Sequence, residues 1–410
     1  MTARTAIRLT LLRLFARLYR GPHRPPMGSP RRVLLLRPDH IGDLLFCTPA
    51  LRLFRQSWSE THLTLAVGPW ARAVLQNNPC LDEILTLDFP GFSRRPKGSL
   101  LAPYALLRRE ARRIRQLQFD LVVTLRFDFW WGALLAYMAG VPWRLGYDVP
   151  EVRPFLTASL DYQPGLHEVE QNLRLARFAL GSTPSSEPIG LEFYPTDEDT
   201  RSASAWLSAS FRKCSIQSDK TAAVSETAAV SGIDPVAGSP IICLHPGAGW
   251  PVKHWRPEGF ALVADALARA HGARIVIIGG PGEEQLVDAV AHAMRGSSIQ
   301  ATGLSLGQVA AILARSILAV GTDSGIMHLA TAVGTPTVHL YGPVDQRLFG
   351  PWGEPQLHRV VTAGLDCAPC NRLDFPIAEL DSHRCVRDIQ PTSVLRAAEE
   401  VLRQTVREGR

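Results

Sequence analysis

The sequence predicts an α/β protein built from two blocks of parallel sheet wrapped by helices. Three observations carry that prediction. Short apolar runs alternate with stretches of helical periodicity, first from Arg32 and again from Pro240, the pattern of strand–helix–strand units. The chain has 410 residues, enough for two domains of ordinary size. Between the blocks, Cys214 to Pro240 is rich in Ser and Ala, has few large apolar residues and contains a near-repeat, Thr221–Ser225 and Thr227–Ser231. Such a stretch buries little and reads as an insert or linker.

Taken in order, residues 1–30 read as an arm. Ile7, Leu11, Leu14, Phe15, Leu18 and Tyr19 fall on one helical face, and Arg13, Arg17 and Arg20 on the other. A basic amphipathic helix on an anionic membrane has this pattern, and so does a helix packed on its own protein. The arginines break any apolar core and no small-residue cleavage site follows, so it is not read as a signal peptide. Gly21 to Pro30 reads as a linker. The first block, 31–213, has candidate strands Arg32–Leu36, Leu63–Val67, Leu121–Thr124 and Arg144–Gly146, with a basic helix from Leu106 to Gln116. After the 214–240 insert, the second block, 241–390, has strands Pro240–Leu244, Arg274–Ile278, Ile317–Val320 and Thr337–Tyr341. Its helices run about Pro257–His271, Glu283–Met294, Leu306–Ala314 and Gly325–Val333. A terminal helix, about Thr392–Val406, occupies 391–410. Two such blocks predict an interdomain cleft, where small ligands bind.

Composition narrows the class. The hydrophobic fraction of 46% and charged fraction of 20% are those of a globular protein. The net charge of +6 suits an anionic partner. No recognition motif accompanies that charge, which argues against nucleic acid. The apolar stretch Leu121 to Trp143 is interrupted by Arg126 and Asp128, so it reads as strand plus helix rather than a membrane span. The seven cysteines are odd in number and mostly scattered, which predicts reduced thiols in a cytoplasmic chain. The arm then offers a peripheral contact to the inner membrane.

Four segments carry chemistry. Asp43 follows the strand Arg32–Leu36 and the break Pro38–Gly42, at the start of a helix. Ligands of open α/β sheets bind at such strand ends, although Asp there also simply caps helices. In the second block, His245–Trp255 combines glycines with the mobile cation Lys253. Gly279–Glu284 ends a strand and places Glu283 and Glu284 at a helix start, where a carboxylate meets ribose hydroxyls or only favours the helix dipole. The run Val320–His328 is strand, small-residue turn and helix, with Thr322, Asp323, Ser324 and Gly325 at the turn. Its backbone N–H groups make an anion site for a pyrophosphate. His328, one turn in, faces the ligand or the interior.

At this point the residues resemble a known family. Arg37-Pro38-Asp39-His40-Ile41-Gly42-Asp43 followed by Thr48-Pro49-Ala50-Leu51 resembles the N-terminal signature of glycosyltransferase family 9, the ADP-heptose:lipopolysaccharide heptosyltransferases and relatives. His167-Glu168-Val169-Glu170-Gln171-Asn172-Leu173, Lys253-His254-Trp255, Gly279–Glu284, Thr322–His328 and Tyr341-Gly342-Pro343 resemble further segments in order, over roughly residues 32–400. The resemblance implies the GT-B type of fold, two facing Rossmann-like domains with the donor held mainly by the second. It implies transfer of a heptose from ADP-heptose with inversion, without a required metal or other cofactor. By the same resemblance Asp43 matches the general base. Lys253, one of Glu283 and Glu284, and Thr322, Asp323, Ser324, Gly325 and His328 match the donor site, to which Gly42 is also assigned. An inverting transfer needs a base on the acceptor and stabilisation of the leaving diphosphate, which fits this division.

An anionic glycolipid acceptor would account for the basic run Arg94, Arg95, Lys97, Arg108, Arg109, Arg112, Arg113 and Arg115; a solvated helix face is the usual reading of such a run. Cys367, Cys370 and Cys385 resemble a cysteine-rich segment of the family, and His383 would complete a zinc set, but the irregular spacing argues against one. The aromatic stretch Arg126–Trp131 reads either as acceptor contact or as core. A nucleotide-sugar epimerase on the same scaffold, which needs no membrane-facing basic surface, is one competing reading. A non-catalytic sugar-nucleotide or glycolipid binder, which needs no Asp43, is another.

Overall fold

The computed structural model describes residues 29–92, 102–181, 190–221 and 239–407, together with Thr10 and Leu14. The expected arm helix, the basic residues Arg94, Arg95 and Lys97, and residues 222–238 of the insert lie outside these. The chain divides into two compact units, Met1–Ile189 and Gly190–Arg410.

The first unit opens with β1 (Arg32–Leu36), α1 (Ile41–Leu45), α2 (Thr48–Ser57), β2 (His62–Val67) and β3 (Glu83–Thr86). It continues with α3 (Ala102–Gln116), β4 (Leu121–Thr124), α4 (Trp130–Ala139), β5 (Trp143–Tyr147), β6 (Ala158–Leu160) and α5 (Glu168–Leu180). The sheet order is β3-β2-β1-β4-β5-β6, and every pairing is parallel. β1 lies at the centre, with Leu34 opposite Thr64 on one side and Val122 on the other. Val33, Leu34, Leu35 and Leu36 are fully buried, as expected of a strand covered on both faces. Phe129 and Trp131 of the aromatic stretch belong to the core between α3, α4 and the sheet, whereas Phe127 stacks on Tyr162, ring centroids 4.3 Å apart.

The second unit contains α6 (Asp197–Thr221), β7 (Ile241–His245), α7 (Pro257–His271), β8 (Arg274–Ile278), α8 (Glu284–Ala293) and β9 (Ser298–Ala301). Then come α9 (Leu306–Ala314), β10 (Leu318–Thr322), α10 (Gly325–Ala332), β11 (Thr337–Leu340), β12 (His358–Val361) and α11 (Pro391–Arg407). Its sheet order is β12-β11-β10-β7-β8-β9, again all parallel. Counted from each unit's first strand, both sheets have the order 3-2-1-4-5-6, the doubly wound arrangement with its switch point between strands 1 and 4.

The borders depart from the sequence reading in two ways. Residues 197–213 do not belong with the first block, and 214–221 are not linker: α6 is one helix that packs on α9 and β9. Asp199 explains the docking. Its carboxylate accepts from Ser305 Oγ at 3.3 Å and lies against Gly307, where a Cβ would stand 2.3 Å from the carboxyl carbon. Gln308 and Arg315 donate to Ser202 and Ser204 at 3.1 and 2.6 Å. The terminal helix α11 is not a separate appendage, since Val394, Ala398, Val401 and Leu402 complete the core over β11, β12 and α7. Among the described residues no helix is long and apolar enough to cross a membrane.

Candidate active site

In the first unit the switch point gathers charge. β1 ends at Leu36, and the next residue, Arg37, is 1% exposed. Its Nε lies 2.6 Å from Asp39 Oδ2, and its Nη2 donates to Glu168 Oε1 at 2.7 Å. Nη1 donates to the Leu125 carbonyl and to Asn172 Oδ1 at 3.3 and 3.4 Å. Arg126, after β4, pairs with Asp39 and with Asp128. Asp43, in the first turn of α1, holds Oδ1 3.9 Å from Arg37 Nη2, with 31% of its side chain exposed. Cys47 donates to the Asp43 carbonyl at 3.3 Å. Glu168 is brought here as the first residue of α5, whose cap His167 accepts from Val169 N at 3.1 Å.

This surrounding sets the titration of Asp43. Burial raises its pKa, the Asp39 carboxylate raises it further, and Arg37 offsets only part, so it is pushed up to about 7. Burial pushes the Cys47 thiol up to about 12. Arg37 stays charged well above the ordinary arginine value, because Asp39 and Glu168 outweigh its burial.

In the second unit the loops after β7, β8 and β10 meet. Lys253 Nζ donates to Asp323 Oδ2 at 2.7 Å, and Thr322 Oγ1 donates to the Gly247 carbonyl at 2.6 Å. His328 is buried, with Nε2 3.8 Å from Asp323 Oδ1. Burial favours the neutral form of Asp323, but the neighbouring His328 and the Lys253 charge prevail and hold it down to about 2. Ser324 caps α10 without a side-chain cap bond, and its Oγ is buried without a protein partner. Glu283 and Glu284 separate clearly. The Glu283 carboxylate accepts from Gly280 N at 2.7 Å and lies over Gly247, where a Cβ would stand 2.2 Å from the carboxyl carbon. Glu284 is exposed in the first turn of α8. Behind them, burial lowers the pKa of His245, whose ring nitrogen Nδ1 contacts the Ile278 carbonyl at 3.0 Å.

The other expected residues are dispersed. Gly42 stands beside Asp43 on α1, in the first unit, whereas the three loops belong to the second. Arg108, Arg109, Arg112 and Arg113 are exposed on α3, and Arg109 and Arg113 pair with the buried Glu110 at 2.8 and 3.5 Å. α3 runs antiparallel to the strands, so Arg112, some ~15 Å beyond its first residue, lies towards the amino ends of the sheet. Arg115 caps the carbonyls of Met138 and Ala139 at the end of α4. Cys367 and Cys370 are exposed, Cys385 is buried, and the His383 ring packs on Phe375. Among the described residues no group of three His, Cys, Asp or Glu side chains is placed to hold a metal ion. Sequence reasoning missed Arg37, Asp39, Glu168 and Asn172 as members of this charge cluster and met Arg126 only as part of the aromatic stretch. The signal was present in the runs Arg37-Pro38-Asp39 and Glu168–Asn172, which put charge at a strand end and a helix start.

Comparison with known proteins gives concordant results. A family model described as glycosyltransferase family 9 (heptosyltransferase) matches residues 107–374. The chain is 29% identical over 174 residues to lipooligosaccharide heptosyltransferase 2 of Campylobacter jejuni, covering 41% of this chain and 53% of that protein. It thus spans about half the length of that curated relative. A glycosyltransferase of family 9 from Veillonella parvula superposes with a TM-score of 0.69 at 25% identity, covering 91% of this chain and 97% of that one. A heptosyltransferase of Escherichia coli solved with ADP superposes with a TM-score of 0.62 at 18% identity, covering 90% and 99%.

Proposed function

The chain belongs to glycosyltransferase family 9, the heptosyltransferase family, and we propose that it transfers a heptose from ADP-heptose to a lipopolysaccharide-type acceptor with inversion and without a metal ion. The observation that carries this reading is the Asp43 carboxylate, about a third exposed at a strand-end switch point, with its pKa pushed up to about 7 by burial and by Asp39. A base poised near neutrality is what proton removal from a sugar hydroxyl requires. As Asp43 takes the proton, the acceptor oxygen bonds the anomeric carbon on the face opposite the diphosphate. The bond from that carbon to the phosphate oxygen breaks, and ADP leaves with the electron pair.

In the second unit, Lys253 and the N–H groups opening α10 offset the charge on ADP, and the free Ser324 Oγ offers one further donor. Thr322, Asp323, Gly325 and His328 shape this loop, and Glu283 rather than Glu284 meets the nucleoside ribose or sugar. Gly42 allows close approach beside Asp43. The acceptor is anionic and is met by the basic segment from Arg94 and Arg95 to Arg108 and Arg109, with Arg112 and Arg113 contributing less. The basic arm attaches the chain peripherally to the cytoplasmic face of the inner membrane. The test is titration with ADP-heptose against UDP- and GDP-sugars, followed by turnover with a truncated lipopolysaccharide acceptor. ADP-heptose should bind and turn over, and indifference to every ADP-sugar would remove the heptosyltransferase reading while leaving the fold.

A further inference from the structure

Arg37 is the hub of the first unit's charge cluster, and its guanidinium hydrogen bonds go to Leu125, Asn172 and Glu168. Nε faces Asp39, Nη1 serves Leu125 O and Asn172, and Nη2 serves Glu168. Asp43 receives no hydrogen bond from it, standing 3.9 Å away. The balance is uneven: two cations, Arg37 and Arg126, face four carboxylates, Asp39, Asp128, Glu168 and Asp43, and Asp128 is paired with Arg126. Asp39 touches both cations and Glu168 touches Arg37, so Asp43 is the carboxylate left without a close counterion.

We propose that Glu168 is a positioning residue that holds the Arg37 guanidinium away from Asp43, keeping the Asp43 carboxylate available to take the acceptor's proton. This rests on the reading of Asp43 as the base. A carboxylate that accepted a charge-assisted bond from Arg37 would be stabilised as the anion and would be a weaker base. Glu168 is suited to compete for Arg37. It opens the 13-residue helix α5, where the positive helix end favours a carboxylate. Its backbone carbonyl accepts from Asn172 Nδ2 at 2.8 Å, while Asn172 Oδ1 holds the other arm of Arg37. One helix therefore grips the guanidinium at two points. The other charged or titratable neighbours among the described residues include Asp39, Arg126 and Asp128 from the strand-end loops, His40 before α1, Cys47 from the start of α2 and His167 at the cap of α5. Tyr147 of β5 and Tyr162 after β6 stand near Glu168, with burial pushing both phenols up and keeping them neutral.

The test compares the full chain with Glu168→Gln and Glu168→Asp in the pH profile of kcat/KM for ADP-heptose and truncated lipopolysaccharide. Glu168→Gln should move the acid limb down by about one pH unit and lower the plateau about tenfold, with the donor KM unchanged. Glu168→Asp should move it less, in the same direction. An acid limb that stays in place while Asp43→Asn is inactive overturns the positioning role alone. Turnover by Asp43→Asn overturns the reading of the base itself. A second measurement needs no substrate: the change in melting temperature caused by Asp43→Asn, followed from pH 4 to 8. In the parent that gain should grow up to about pH 7, because the folded carboxylate titrates there. In the Glu168→Gln background the growth should stop at lower pH, and identical curves in the two backgrounds would also overturn the proposal.

Discussion

The two units share one strand order and put opposite electrostatics at the same topological place. In the first, the gap between β1 and β4 holds a carboxylate, Asp43, whose pKa is pushed up to about 7. In the second, the gap between β7 and β10 holds a carboxylate, Asp323, pulled down to about 2. Both acids are subject to burial that favours the neutral form. The difference is the cation. Lys253 bonds Asp323 directly, whereas Arg37 is turned to Asp39 and Glu168. A doubly wound sheet thus supplies the location, and the nearest cation decides whether the acid there titrates near neutrality or is kept as a fixed anion.

The sharpest way to break this comparison is to neutralise the first acid and, separately, to remove the second acid's cation. Asp43→Asn should lower kcat by about 10³-fold and leave ADP binding by calorimetry unchanged. Lys253→Ala should cost about 10²-fold in kcat/KM and also weaken ADP binding, because its cation is removed from the donor loop. If the two variants lost the same step, the division of labour between the units would fail. Next in size, Arg37→Ala should destabilise the first unit by about 3–5 kcal/mol, read as an earlier denaturant transition, since Asp39 and Glu168 would be left buried without their cation. Gly247→Ala should raise the donor KM about tenfold, because the new methyl displaces the Glu283 carboxylate. The smallest effect concerns the acceptor. Charge reversal at Arg108 and Arg109 should raise the acceptor KM several-fold, more than reversal at Arg112 and Arg113, and equal effects would place the acceptor elsewhere on α3.

How much of this was legible in the sequence follows from burial. The interior strands were readable because runs such as Val33–Leu36 and Ile275–Ile278 are apolar on both faces. The four strands that sequence reading missed, β3, β6, β9 and β12, are the four sheet edges. Edges are short and half-solvated, so they lack a continuous apolar run: β6 is Ala-Ser-Leu with no buried residue. The strand-end positions of the candidate residues Asp43, Lys253 and Thr322–Ser324 were readable from the periodicity around them. The Arg37–Glu168 pair joins residues 131 positions apart, and no local pattern announces such a partnership. Family resemblance narrowed Glu283 and Glu284 to a pair, and only the packing shows that Glu283 lies over Gly247 while Glu284 faces solvent.

The docking of α6 on α9 has a practical meaning for dividing the chain. Val309, Ile312 and Leu313 of α9 are buried, and α6 supplies part of their cover through its Ala203, Leu207 and Phe211 side. A fragment beginning at residue 214 would bare that strip to solvent and would be prone to self-association. A fragment beginning at Gly190 carries its own cover, so of the two it is the piece expected to stay monomeric when severed from the rest.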